Sequence, residues 1–251
     1  MSAQQKKPLI RPLENGPLEV ENLELFTNSR HEEIATESPM QLCRCGNSRT
    51  KPFCDNSHET AGFSSCKCDD RIEDKKEHYR GRRLTIHDNR GICSHAGFCT
   101  SLLPLVFKGG EPWIDPDAAE MDRIMEVIGK CPSGALSYTV EGENEVKDHP
   151  GEAEIHIDRN GAYQVRGDVE IEDTDLGDDA SLEHYTLCRC GESCNKPRCD
   201  GSHWYADFKD DEGLTISAAN RRREKPAARC VRAAARQDFA GTETPIQPRS
   251  R

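Results

Sequence analysis

The chain has 251 residues, 31% of them charged, and Lys+Arg 34 against Asp+Glu 45 leaves a formal net charge of -11. Leu, Ile, Val and Phe together number only 43, below the roughly 20% at which a highly charged chain begins to read as disordered, yet 13 cysteines point to staples of another kind. The acidic balance argues against nucleic acid as partner of the folded body, and the absence of an apolar run of signal-peptide or membrane-span length predicts a cytoplasmic chain, in which metal or cluster ligation outweighs disulfides.

In chain order, residues 1–13 read as a flexible arm. A cysteine-rich module is expected over 14–66, where Cys43 to His58 reads CRCGNSRTKPFCDNSH. Residues 79–140 form a different unit. It has a strand-like Leu84–Ile86, a loop with Cys93 and Cys99, and a helix expected to start with Asp115 as N-cap and Pro116 at its first position. Met121, Ile124, Met125 and Ile128 make one apolar stripe at helical spacing, and Cys131-Pro132 ends it. A second module over 150–217 repeats the first: Cys188 to His203 reads CRCGESCNKPRCDGSH, in register with the first copy at an offset of 145 from Cys43 to Cys188. The last stretch, 218–251, holds nine Lys/Arg against three Asp/Glu and reads as a basic disordered tail.

Both repeats carry Cys-x-Cys, then Cys, then His four residues on. Cysteines at i and i+2 of an extended segment project to one side, and a Cys/His pair at i and i+4 stacks on a helical turn. Asp55 and Asp200 follow the third cysteine and suit the cap of that turn. Two chemistries fit these donors: a closed Cys3His zinc site, or a 2Fe-2S cluster with two thiolates on one iron and a thiolate plus an imidazole on the other. His31, His78, His87, His149, His156 and His184 lack ligand spacing and read as ordinary surface or turn residues.

The pattern C-x-C-x2-S-x3-P-x-C-D-G-S-H resembles the signature of the CDGSH, or NEET, iron-sulfur family. The second copy matches in full, and the first departs only at Asn56, where the family has glycine. The resemblance implies one 2Fe-2S cluster per repeat, held by Cys43, Cys45, Cys54 and His58 and by Cys188, Cys190, Cys199 and His203. It also implies two small β-rich modules paired as an internal pseudo-dimer. The middle segment, with its C-x-H-x-G-x-C loop, Pro112-Trp113 and Cys131-Pro-Ser-Gly-Ala-Leu136, is similar to the divergent mono-cluster ferredoxin domain. That implies a 3Fe-4S or 4Fe-4S cluster on Cys93, Cys99 and Cys131, with His95 as the nearest candidate for a fourth ligand and Cys66 and Cys68 as a second choice. Cys66, Cys68, Cys194 and Cys230 are otherwise expected as free thiols.

The expected protein is therefore of α+β class, with a ferredoxin-like insert between two CDGSH-type modules and, through the internal pseudo-dimer, a monomer. Its expected role is one-electron transfer or redox sensing with redox proteins as partners. One rival is a cluster donor or repair scaffold serving apo iron-sulfur acceptors, and another is a structural zinc module. No catalytic site of its own is found, and iron, more than aliphatic burial, is expected to govern its stability.

Overall fold

In a computed structural model, the structure describes residues 6–149, 151–172 and 180–210. The basic tail and Cys230 lie outside the described residues. The strands, in chain order, are β1 (Leu9–Pro12), β2 (Leu18–Glu21), β3 (Leu25–Thr27), β4 (Met40–Leu42), β5 (Lys76–Arg80), β6 (Leu84–Asn89), β7 (Leu136–Val140), β8 (Glu145–Val146), β9 (Glu154–Ile157), β10 (Tyr163–Arg166), β11 (Glu170–Ile171) and β12 (His184–Leu187). The helices are short: α1 (Ser57–Thr60), α2 (Phe98–Leu102) and α3 (Met121–Ile128). The fold is mainly β, with less helix than an α+β class implies.

The strands form three four-stranded sheets, in the orders β11-β1-β2-β4, β12-β10-β9-β3 and β5-β6-β7-β8. The first two sheets are built by exchange. At the repeat offset, β1, β2 and β4 correspond to β9, β10 and β12, and β3 corresponds to β11. Each repeat keeps three strands and lends the fourth: β11 lies parallel to β1 with Leu9 opposite Glu170, and β3 lies parallel to β9 with Leu25 opposite Glu154. Parallel neighbours cannot be joined by a hairpin, so the lent strand must come from a distant part of the chain, here the other repeat.

Exchange lets two weak sequences share one core. Ile10, Leu18, Phe26 and Leu42 of the first repeat pack in one cluster with Ile155, Tyr163, Tyr185 and Leu187 of the second. Each such side chain contributes about 1.5–3 kcal/mol of burial. The short apolar supply is thus concentrated where both sheets use it. The N-terminal arm is also revised: residues 9–12 are a paired strand with Ile10 fully buried.

In the insert, α3 starts at Met121 instead of Asp115. Asp115 caps a tight turn by accepting the Asp117 N–H and pairs with Lys108, which draws it out of the helix. Ile124, Val127 and Ile128 face a core made with Leu84, Ile86 and Leu136. The apolar stripe held while its cap moved.

Three of the histidines read as surface residues are buried. His87 bonds His78 and Thr139, His156 bonds Thr27 and stacks on His31, and His184 bonds Ser181. Burial lowers His184 from 6.5 to about 4, aided by the neighbouring His149 and Arg166 and opposed by Asp148. A base whose folded value is depressed stabilises fully above its unfolded pKa and loses that stabilisation as pH falls toward the folded one. The window here is pH 6.5 to about 4. We expect His184→Gln to unfold with a shallower pH dependence than wild type across that window, by at most about 3 kcal/mol, as read from urea midpoints of the two proteins at matched pH.

Candidate metal centres

The cysteine hairpins are built twice by the same bonds. The first cysteine's N–H donates to the proline carbonyl nine residues on, Cys43 to Pro52 at 2.8 Å and Cys188 to Pro197 at 2.9 Å. The third cysteine's N–H donates back across the hairpin, Cys54 to Gln41 and Cys199 to Thr186, both at 2.9 Å. This brings the third cysteine beside the first two. Asp55 and Asp200 then shape the turn to the histidine. Each gives one oxygen to the following serine N–H, Ser57 at 3.0 Å or Ser202 at 2.9 Å, and the other to the loop N–H of Arg49 or Cys194.

The donors meet two by two. Cys43 and Cys45 sulfurs lie 3.6 Å apart and those of Cys188 and Cys190 3.8 Å apart. The Cys54 sulfur is 3.5 Å from His58 Nδ1, and that of Cys199 is 3.4 Å from His203 Nδ1. Two thiolates on a tetrahedral ion with bonds of about 2.3 Å stand roughly 3.8 Å apart, and a thiolate with an imidazole slightly less. Each pair therefore fits one metal ion, and each repeat offers two such pairs, as a two-iron cluster needs.

The electrostatics suit thiolates. Within each Cys-x-Cys pair a hydrogen bond from the second thiol lowers the first, Cys43 or Cys188, while the second is raised by the same bond. Lys51 and Lys196, anchored to the Ser48 and Ser193 carbonyls, lower the same first thiols. Backbone N–H groups of Asn47 and Asn56, and of Glu192 and Gly201, point at the sulfurs at 3.4–3.5 Å. Burial lowers His203 to about 4, which keeps its imidazole neutral and able to bind a metal.

Two residues of the hairpins escaped the sequence reading. Arg44 and Arg189, the middle residues of the two C-R-C runs, donate to the Gly16 and Gly161 carbonyls and stack on Phe63 and Phe208. Arg189 also pairs with Asp210. They clamp the turn before β2 and β10 onto the hairpin. Their identity in both copies was the available signal.

The insert brings Cys93, Cys99 and Cys131 near one another: the charge of Cys131 acts on both other thiols, and burial raises Cys93 to about 12. Arg90 was missed as well. Its guanidinium donates to the Cys93 sulfur at 3.4 Å, lies 3.8 Å over the Trp113 ring, and pairs with buried Asp88, which also accepts from Trp113. This puts a fixed cation beside the three cysteines. His95, the candidate fourth ligand, bonds Cys93 through its backbone N–H, and its ring packs against Gly201 of the second repeat.

The family described as iron-binding zinc finger CDGSH type matches residues 15–59 and 160–204, and the family described as divergent 4Fe-4S mono-cluster matches 79–141. The chain carries two CDGSH-type iron-binding domains flanking a divergent 4Fe-4S mono-cluster domain. A relative described as uncharacterized protein YjdI, from Escherichia coli strain K12, is 38% identical over 61 residues, which is 24% of this chain and 80% of the relative. The protein of the same description from Escherichia coli O157:H7 gives the same figures. No solved structure matches. The chain is accordingly an iron-sulfur cluster-binding protein, and neither matched family is a catalytic one. No helix of the described residues is long and apolar enough to cross a membrane.

The two CDGSH repeats differ in their surroundings. Cys54 and His58 are half-buried, whereas Cys188, Cys190, Cys199 and His203 are all at most 8% exposed. The cover comes from the mono-cluster domain. Asn195 donates to the Gly91 carbonyl at 2.8 Å, Trp204 donates to the His95 carbonyl at 3.2 Å, and the His95 ring lies on Gly201. The corresponding residues of the first repeat are Thr50, Glu59 and Asn56, all exposed. Cys68 and Cys194, expected as free thiols, are joined by a disulfide across 126 residues, a pairing no local spacing could reveal. Cys66 is exposed and free.

The Gly/Asn difference now has a steric cause. Both residues have positive φ, +63° at Asn56 and +80° at Gly201, which asparagine tolerates. At Gly201, however, a Cβ would come within 2.5 Å of the His95 ring. We expect Gly201→Asn to cost roughly 1–3 kcal/mol through overpacking and to loosen the mono-cluster domain, while Asn56→Gly stays within about 0.5 kcal/mol of wild type. Denaturant midpoints of the two variants check this.

Proposed function

We propose that the chain is a three-cluster electron carrier or redox sensor. Its 2Fe-2S clusters are held by Cys43, Cys45, Cys54 and His58 and by Cys188, Cys190, Cys199 and His203, and Cys93, Cys99 and Cys131 hold the cluster of the mono-cluster domain. The observation that carries this reading is the pairing of donors, two thiols together and a thiol with Nδ1 together, in both repeats. Bound clusters supply one-electron redox chemistry. The protein's part is to hold thiolates with lysine charges and backbone N–H groups and to set how far each site lies from water.

His95 serves docking in this reading, because its ring is engaged with Gly201. The expected result is that His95→Ala keeps the iron and sulfide content of wild type. A loss equal to one whole cluster would return His95 to the ligand set.

The internal pseudo-dimer of CDGSH repeats supports function within a single chain, since the exchanged strands already supply each repeat with its partner. The partners are other redox proteins, approaching at the half-buried Cys54 and His58 of the first repeat. We place the protein in the cytoplasm. Donation of a cluster to an apo iron-sulfur acceptor is the second reading, favoured by that same exposure at the first repeat alone.

Anaerobically purified protein should show iron and acid-labile sulfide, with EPR signals of two cluster types on reduction; a colourless protein that holds zinc and no iron would overturn the reading. Mixing with apo-ferredoxin separates the two roles, because a carrier keeps its own visible spectrum and a donor loses it. Replacing a neutral imidazole by an anionic thiolate adds negative charge to a cluster and disfavours taking up an electron. We therefore expect His58→Cys and His203→Cys each to lower the midpoint potential of one 2Fe-2S cluster in a redox titration.

A further inference from the structure

The disulfide between Cys68 and Cys194 joins the segment leading into the mono-cluster domain to the second repeat, next to Asn195, which holds Gly91 of that domain. Cys68 follows the first CDGSH repeat on the way to β5, and Cys194 is part of the second repeat's metal-binding hairpin. Their Cα atoms are 4.8 Å apart, within the span a disulfide accepts. The Cys68 N–H also donates to the Cys194 carbonyl at 2.9 Å, so the two backbones are in register apart from the sulfurs. The Cys194 N–H in turn donates to Asp200, beside Cys199. A change at these sulfurs thus reaches the turn that carries two of the second site's donors.

The first repeat has Arg49 at the matching position, exposed. The thiol is therefore specific to the repeat that the mono-cluster domain covers, and it stands next to Asn195, whose side chain holds Gly91. Cys68 is half-exposed and Cys194 is buried, so an incoming thiolate has access to the Cys68 sulfur. A disulfide in a chain that lives in a reducing compartment is typically a catalytic or redox-sensing one.

We propose that Cys68 and Cys194 form a redox-active thiol pair, exchanging with a dithiol reductant, that latches the mono-cluster domain onto the second CDGSH repeat. In the reducing direction, a thiolate of the reductant attacks the Cys68 sulfur and Cys194 leaves as the thiolate. The second thiol of the reductant then resolves the mixed disulfide. The Cys68–Cys194 bond is broken, the reductant's disulfide is formed, and two electrons and two protons end on Cys68 and Cys194. The opened pair frees the segment after Cys68, whose residues Glu73 and Asp74 lie against Gly91, from its covalent tie to the hairpin of the second site, and so loosens the loop around Gly91 and His95. The thiol pair stands on its own geometry, while its redox role rests on the cytoplasmic placement proposed above and its bearing on the second cluster on the function proposed there.

The test uses the iron-loaded full-length chain, quenched in acid directly from cells, alkylated with N-ethylmaleimide and mapped without reduction. The expected result is a Cys68–Cys194 linked peptide pair, with Cys66 alkylated. Dithiothreitol titration should then open the link in a single two-electron transition. Amide exchange over residues 91–97 should become at least tenfold faster in the reduced protein, and Cys68→Ser should exchange at that faster rate without reductant. Three outcomes would overturn the proposal. Both cysteines could be alkylated in the unreduced sample. Both could be protected from alkylation in the unquenched protein by stoichiometric zinc, held with the Asp70 carboxylate that lies within 4.8 Å of the two sulfurs. Or the link could be present while its reduction leaves exchange at 91–97 unchanged. Iron and sulfide measured in an unquenched portion of the same preparation keep these failures distinct from a failure of the iron-sulfur reading.

Discussion

The close approach of two cysteine hairpins is the constraint on which the rest of the structure depends. Cys45 and Cys190 form an antiparallel bridge, and the glycines that follow them lie against the opposite backbone. A Cβ on Gly46 would meet the Cys190 carbonyl oxygen at 2.5 Å, and one on Gly191 would meet the Cys45 carbonyl oxygen at 2.6 Å. Both glycines have positive φ as well, so conformation and space require the same residue. With the hairpins back to back, the strands that precede them fall within reach of the opposite sheet, and the exchange of β3 and β11 completes each sheet. Tyr163 seals the contact by donating from the second repeat to the Cys43 and Pro52 carbonyls of the first.

A symmetric scaffold of this kind makes two equal sites, and the sequence then breaks the equality. Of the positions where the two sixteen-residue motifs differ, Cys194, Asn195 and Gly201 all touch the mono-cluster domain or the segment leading into it. A fourth difference, Phe53 against Arg198, belongs to packing within each half: Phe53 meets Phe26 edge-on, and Arg198 lies over Tyr185. Divergence between the repeats is therefore concentrated on the surface that receives the insert. The second site gains burial and neighbours, while the first keeps its third cysteine and histidine toward solvent.

Much of the candidate site was legible because its information is local. Cysteine and histidine spacing is set within sixteen residues, and the hairpin bonds that present those donors join residues of the same repeat or the strand before it. The apolar stripe of α3 was legible for the same reason, since helical period is a short-range property. Its start was not, because Asp115 can cap a turn or a helix and the choice depends on Lys108 across the loop. The strand exchange, the Cys68–Cys194 bond and the bonds of His87 to Thr139 and of His156 to Thr27 all join residues far apart in the chain. No periodicity or motif encodes such pairings, so the sequence showed the repeat without showing how its halves interlock.

The exchange also alters how the scarcity of apolar residues is to be understood. A separate repeat would have three strands and half of the central cluster, too little to offset the entropy of ordering it. Interlocked, Ile10 and Ile155 are each fully buried, and Phe26 closes the core of the opposite sheet from β3. Two kinds of contact then act on different parts of the molecule: the shared apolar cluster holds the sheets, and the Cys45–Cys190 bridge with the Tyr163 hydrogen bonds holds the hairpins at their meeting point. The few apolar residues suffice because both repeats bury them in one place.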